Sequence, residues 1–281
     1  MKKFFALAAI AFAAIAMVSC EKNPSGNNEN NGGNGNETPK KVLLALASEV
    51  TEEGEFLYGR QFSYNENGTL AGVYEIGDWG SYNLTAEWNN NTITFKEDAN
   101  EENPEGKVAF TWTLGNNGYV ASCTTGKSVY TYEYDAEGHL VKVFESYENS
   151  EPELKSVMTW TNGNLTSWTR ENRIENEDGT KSPEIKVQTY TEEVNTAGIH
   201  TAYNDKNANL SKWMLELGFF GKASKNLLNT DKWSTAEKDA KFEYRYDDDN
   251  YVVAEVKYYM NDDLTTYKLD DENYFLWETA E

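Results

Sequence analysis

Catalysis and metal binding lean on histidines, cysteines and spaced carboxylates, and this chain of 281 residues holds only two histidines and two cysteines. His139 follows Gly138 in a polar stretch and reads as a solvated loop histidine. Neither it nor His200 stands in a His-x-Glu-x-x-His spacing, and there is no Cys-x-x-Cys, so no metal site is expected. A triad built on His200 would need a nucleophile, and no Gly-x-Ser-x-Gly elbow is present. Gly221-Lys222-Ala223-Ser224 has the composition of a phosphate loop. The glycine required five positions before Gly221 is Glu216, however, and lysine and serine are not adjacent. The run reads instead as a crossing loop. Asp247-Asp248-Asp249, Asp262-Asp263 and Asp270-Asp271-Glu272 fall where hairpin turns are expected, and aspartate stabilises such turns itself. None has the Asp-x-Asp-x-Asn-Gly pattern of a calcium loop, and no cofactor is expected.

Two kinds of residue remain. With 47 acidic side chains, a pair of carboxylates about 5–10 Å apart would suffice for a glycosidase, so a carboxylate-dependent hydrolase is the alternative reading. The eight tryptophans supply flat apolar faces on which sugar rings stack. Trp112 and Trp160 share a repeated position that sheet packing explains. Trp213, Trp233 and Trp277 lie outside it and are the candidate ligand-binding residues. Cys123, in Tyr119-Val120-Ala121-Ser122-Cys123, reads as a buried, inert thiol.

The second cysteine belongs to an address. Residues 1–19 join Lys2 and Lys3 to an apolar run from Phe4 to Val18, too short to span a bilayer comfortably. Met17-Val18-Ser19-Cys20 resembles the lipobox of bacterial lipoproteins, with Met17 in place of the usual leucine. Cys20 is therefore the expected lipidation site, and several acyl chains there give durable membrane attachment. Residues 20–40 are rich in Asn and Gly and nearly devoid of apolar side chains, the composition of a flexible tether. Its random-coil reach is about 25 Å. Without the leader the chain has 23 basic and 47 acidic residues, net −24. That charge excludes nucleic acid as a partner and disfavours docking on anionic lipid.

From residue 41 onward one pattern recurs: an aromatic anchor, a polar Asn/Asp/Gly turn, then an aliphatic residue. Tyr134-Asp135-Ala136-Glu137-Gly138-His139-Leu140 is the clearest copy, and Trp160-Thr161-Asn162-Gly163-Asn164-Leu165 is a tighter one. Anchors at 64, 88, 112, 134, 160, 190, 246 and 269 are spaced by about 24 residues, the length of two strands with their turns. The chain resumes at Leu70, Ile93, Val120, Leu140, Leu165, Ile199, Val252 and Phe275. Period-2 alternation predicts strands: Phe242, Tyr244 and Tyr246 on one face, Glu243 and Arg245 on the other. On the return strand Val252, Ala254, Val256 and Tyr258 fall together, opposite Glu255 and Lys257. Asn162-Gly163 predicts a type I′ turn.

Eight units predict up to sixteen strands in an all-β antiparallel meander, a strongly curved sheet or a closed soluble barrel in a single domain, 41–281. The long interval holds an expected short helix or plug near 211–228. A membrane-spanning barrel is rejected, because mean hydropathy is −0.73 and no uncharged band between aromatic girdles appears. Leu217-Gly218-Phe219-Phe220-Gly221-Lys222-Ala223-Ser224-Lys225-Asn226-Leu227, followed by Phe242-Glu243-Tyr244-Arg245-Tyr246-Asp247, resembles a family of gut-bacterial lipoproteins carrying a domain of unknown function with a porin-like fold. The resemblance implies that fold and transfers no activity to any residue. The expectation is a lipid-anchored protein of the cell envelope, at the outer membrane, acting as a non-catalytic binding or structural module. Its partner would be a glycan, a lipid or a protein.

Overall fold

The computed structural model describes residues 41–279 except 52–55, 78–79, 100–103, 105, 201–204, 237–238 and 261–265. The signal sequence 1–19, Cys20 and the tether to residue 40 lie outside the described residues. Sixteen antiparallel strands form a closed barrel in which each strand pairs with its neighbours in sequence. They are β1 (Lys41–Val50), β2 (Phe56–Tyr64), β3 (Leu70–Gly77), β4 (Gly80–Asn89), β5 (Thr92–Glu97), β6 (Val108–Leu114), β7 (Val120–Thr125) and β8 (Ser128–Tyr134). The second half comprises β9 (Leu140–Tyr147), β10 (Glu153–Thr161), β11 (Asn164–Glu175), β12 (Lys181–Val194), β13 (Asn226–Trp233), β14 (Ala240–Tyr246), β15 (Val252–Met260) and β16 (Tyr267–Thr279). The ring closes where β1 meets β16, Leu43 opposite Trp277 and Leu46 opposite Phe275.

The anchor–turn–aliphatic pattern marks one rim of this barrel, called proximal here; Lys41 and Thr279 lie on the same rim. The turns form as their residues require. Asn162 and Gly163 both take positive φ, 53° and 79°, as a type I′ turn demands, and Gly68 and Gly138 occupy left-handed positions. Asp135 accepts from the backbone N–H groups of Glu137 and His139, and Asp247 from those of Asp249 and Tyr251. The acidic run 247–249 is thus partly a turn scaffold.

Most of these units carry a register shift beside the anchor, at Ser63/Tyr64, Thr113/Leu114, Glu133/Tyr134, Thr159/Trp160, Thr189/Tyr190 and Arg245/Tyr246. A bulge sets two residues against one and changes which face the following residues occupy. The inward positions after each turn are therefore three apart: Leu70 and Val73, Val120 and Cys123, Leu140 and Val143, Leu165 and Trp168. On β15 this corrects the simple alternation. Ala254 and Val256 lie opposite Arg245 and Glu243, whereas Glu255 and Lys257 lie opposite the inward-facing Tyr244 and Phe242.

The anchors bond neighbouring hairpins to one another. The side chains of Tyr64, Trp88, Tyr134, Trp160, Tyr190, Tyr244 and Trp277 donate to the carbonyls of Leu43, Leu70, Val120, Leu140, Leu165, Leu228 and Val252, at 2.7–3.0 Å. Each acceptor lies within two residues of the start of the return strand of the preceding hairpin, so the bonds run around the proximal rim as a ring. Trp112 is the exception; its indole nitrogen donates to no carbonyl of the rim. The ring also corrects two anchors. In the seventh unit the anchor is Tyr244, and Tyr246 bonds Glu193 near the surface. In the eighth it is Trp277, while Leu269 is exposed. That eighth hairpin has no turn, because β1 supplies its return strand.

The barrel interior is filled. Phe95, Trp112, Val120, Val143 and Trp168 are almost wholly buried. The described residues of 195–225, between β12 and β13, enter as a plug with a 3-10 turn (Lys206–Ala208) and a short helix α1 (Lys212–Glu216). Ile199, Leu210, Trp213, Leu215 and Phe220 of the plug join the same apolar core as the wall. The return residue of the sixth unit is consequently Leu228 on β13, and Ile199 belongs to the plug. The outer wall carries many polar and charged side chains. Thr92, Thr94, Thr111, Thr113 and Thr124 stand on it, and ion pairs Glu87–Lys96, Glu133–Lys142, Lys241–Glu243 and Arg245–Glu272 cross it. Placing such a Lys or Arg at a bilayer midplane costs about 2–4 kcal/mol. Exposed apolar and aromatic side chains, among them Val108, Val187, Leu269 and Leu276, stand between these charged groups.

Candidate functional site

Two of the charged clusters that interrupt the apolar interior stand out. The first joins plug to wall. Glu255 occupies the bulge-set inward position that Val73, Cys123, Val143 and Trp168 fill in other hairpins, and it is buried there. It forms an ion pair with Lys212 of α1. Glu216, one helical turn on, is 4.0 Å from the same ammonium and accepts from the backbone N–H of His200 at 2.9 Å. Burial pushes the Glu216 carboxyl up to about 8, against the pull of Lys212. Burial opposes the charge on Lys212, yet Glu255 and Glu216 hold its pKa above the ordinary lysine value. The arrangement is a lock holding the plug, sealed from solvent.

The second cluster lies toward the opposite, distal end and comes from five strands. Lys186 on β12 pairs with Asp231 on β13, and both are nearly buried. Burial pushes the Lys186 ammonium down to about 8 despite Asp231. On β11, Arg170 reaches Glu184 of β12 through Nε at 3.0 Å, and Thr235 also bonds Glu184. The Arg170 guanidinium lies 3.9 Å from the centre of the Trp233 ring, and Lys186 lies 5.2 Å from it. Lys257 on β15 stands 4.3 Å from the Tyr259 ring centre and 3.2 Å from Asp270 of β16. Exposure rises across the cluster, from Lys186 at 4% to Tyr259 at 37%. The Arg170 guanidinium over the indole is a cation–π contact that orients the ring.

The residues singled out in the sequence take distinct places. Trp233 stands in the distal cluster. Trp213 is buried in the plug, stacked on Trp112 with ring centres 6.0 Å apart. Trp277 is a rim anchor, its indole donating to Val252 at 2.7 Å. His139 is not a solvated loop residue: it is buried, stacks on Trp160 at 4.3 Å and contacts Asp135 at 3.0 Å. His200 is buried in the plug, and burial pushes its pKa down to about 4. Cys123 is buried too, its thiol pushed up to about 12. The Gly-Lys-x-Ser run clasps the plug to the rim. The Lys222 and Lys225 N–H groups donate to Gly138 and Gly163, and the Leu165 N–H donates to Ser224 Oγ. A cavity of about 20 Å³, room for one water, lies behind this clasp among Trp160, Leu165, His200 and Phe220. Among the described residues no three His, Cys, Asp or Glu side chains converge as metal donors. Arg170, Glu184, Lys186, Asp231 and Lys257 carried no signal in the sequence; inward charges appear only once the bulges and the strand order are known.

No protein-family model matches the chain, and no curated protein matches it. Among solved structures it is similar to a porin-like protein from Bacteroides uniformis, with a TM-score of 0.59, 14% identity, and 86% of this chain and 98% of the other covered. It is also similar to a porin-like protein from Bacteroides vulgatus, with a TM-score of 0.49, 11% identity and coverage of 83% and 97%. At such identity the likeness to the first speaks for the fold alone: this chain is a closed sixteen-stranded barrel of the porin-like kind.

Proposed function

We propose that the protein is a lipid-anchored module of the cell envelope that binds a ligand at the distal end of its barrel without transforming it. The observation that carries this reading is the polarity of the barrel along its axis. The first strand begins at the proximal rim, where Lys41 is held by Asp247 and Asp249 at 2.7 and 2.6 Å. The same rim is clasped to the plug, and the interior behind it is packed with aromatic side chains, which argues against solute passage. A tether joined at Lys41 would present the opposite end, with the Trp233 cluster, away from the membrane. The charged outer wall supports attachment through Cys20 rather than through the strands.

Two measurements test the proposal. Cys20→Ala should abolish fatty-acid labelling and leave an unprocessed precursor; labelling that survives removes the anchor. Residues 41–281 should show saturable binding in a screen of glycans, lipids and envelope proteins, with no release of reducing sugar. Sugar release that disappears on replacing one carboxylate would make the protein a hydrolase instead.

A further inference from the structure

We infer that the cluster around Trp233 takes a neutral, polyhydroxylated ligand, a sugar residue of an oligosaccharide, in preference to an ion. This deepens the binding function proposed above and rests on it. The charge balance is the first argument. Arg170, Lys186 and Lys257 each face their own carboxylate, Glu184, Asp231 and Asp270. An incoming phosphate or carboxylate would have to displace an existing partner, and an incoming cation would have to displace an ammonium or guanidinium. Either exchange costs the full desolvation of the group left behind. A hydroxyl meets no such conflict, because it donates to a carboxylate oxygen and accepts from a guanidinium N–H without breaking the pair.

The second argument is the aromatic surface. Trp233 is half-buried and braced by Arg170, and Tyr259 is 37% exposed beside Lys257. Rigid rings next to fixed donors and acceptors suit a pyranose, whose C–H face is apolar and whose edge is a row of hydroxyls. The third argument is an unmet donor. Gln188 lies opposite Asp231 on the adjoining strand and is buried, and its amide nitrogen has no acceptor among the described residues. A buried amide donor left without an acceptor costs about 1–3 kcal/mol, so the cluster gains from a guest oxygen. The charged group of Lys212, Glu216 and Glu255 is instead held between plug and wall, with both carboxylates buried.

The experiment is a titration of the purified full-length protein with neutral hexasaccharides of glucose, mannose and xylose. Oligogalacturonate serves as the anionic comparator and a chitosan hexamer as the cationic one. At least one neutral probe should bind saturably, with affinity changing less than about twofold between 50 and 500 mM NaCl, since no net charge is recognised. Trp233→Ala should weaken it at least about tenfold and Trp233→Phe, which retains a ring, by less, with melting curves matched to the parent. A charged probe that binds most tightly, weakens steeply with salt and is lost in Trp233→Ala would keep the site and overturn the ligand class. Neutral binding untouched by both Trp233 variants would overturn the site. Absence of binding by every neutral probe would overturn the inference outright.

Discussion

Removing one hydroxyl from the rim tests whether the ring of anchors holds the barrel shut. Tyr134 donates to the Val120 carbonyl at 2.8 Å, and its phenol is so deeply buried that its pKa lies well above the ordinary tyrosine value. Tyr134→Phe keeps the ring and its packing and removes only the donor, leaving a buried carbonyl short of a partner. The expected cost is about 1–2 kcal/mol. For a domain of this size that corresponds to a fall in Tm of about 2–8 °C. Tyr64 and Tyr244 make the same bond in other hairpins, at 2.8 and 3.0 Å, and share no acceptor with Tyr134. The three losses should therefore add, to about 3–6 kcal/mol in the triple variant. Tyr246 is the internal control: its hydroxyl meets Glu193 near the surface, and Tyr246→Phe should cost less than about 0.5 kcal/mol. Urea titrations followed by far-ultraviolet dichroism measure the parent, the three single variants, the triple variant and the control. A control as costly as Tyr134→Phe, or a triple variant within about 1 kcal/mol of the parent, would refute a structural role for the ring.

The plug clasp and the buried lock give two more predictions. Gly221 has a φ of 92°, and an added Cβ would sit 2.7 Å from the Gly138 carbonyl oxygen, so Gly221→Ala should cost more than about 2 kcal/mol; an unchanged urea midpoint would show the clasp carries no load. Glu216 has its carboxyl raised from 4.5 to about 8, so its contribution to stability is complete below about pH 4.5 and lost as pH rises through about 8. Glu216→Gln, neutral throughout, should lose stability less steeply between about pH 5 and pH 8 and be about 1–3 kcal/mol more stable than the parent at the upper end. Parallel pH profiles for the two proteins would exclude that titration.

How far the fold was legible depends on the range of the signal. Hairpins such as 134–140 and 160–165 announce themselves because Asn, Asp and Gly at a turn act within a few residues. The number of strands follows from counting such turns. The anchors of the last two units were misplaced for different reasons. Tyr244 and Tyr246 share a strand face, so alternation alone cannot choose between them. Trp277 is followed by no turn, because its return strand lies at the other end of the described chain. The inward turn of Glu255 and Lys257 was hidden by the bulge at Arg245/Tyr246, which no local residue type signals. The distal cluster is less legible still: Arg170 and Asp270 come together only through strand order, and their residue types alone describe an ordinary solvated surface.

The eighth hairpin has a temporal consequence. A chain delivered to its destination from the N-terminus releases β1 first and β16 last, and these two strands pair with each other. Until Leu43 and Phe275 are both free, the sheet is a fifteen-stranded ribbon with two unsatisfied edges and its aromatic face uncovered. Edges of that kind recruit other strands readily, and such distant pairing is slow to form. A barrel with this topology therefore keeps both edges open until its last strand is available. Loss of the last strand would strand it as a sticky sheet rather than leave a slightly smaller barrel.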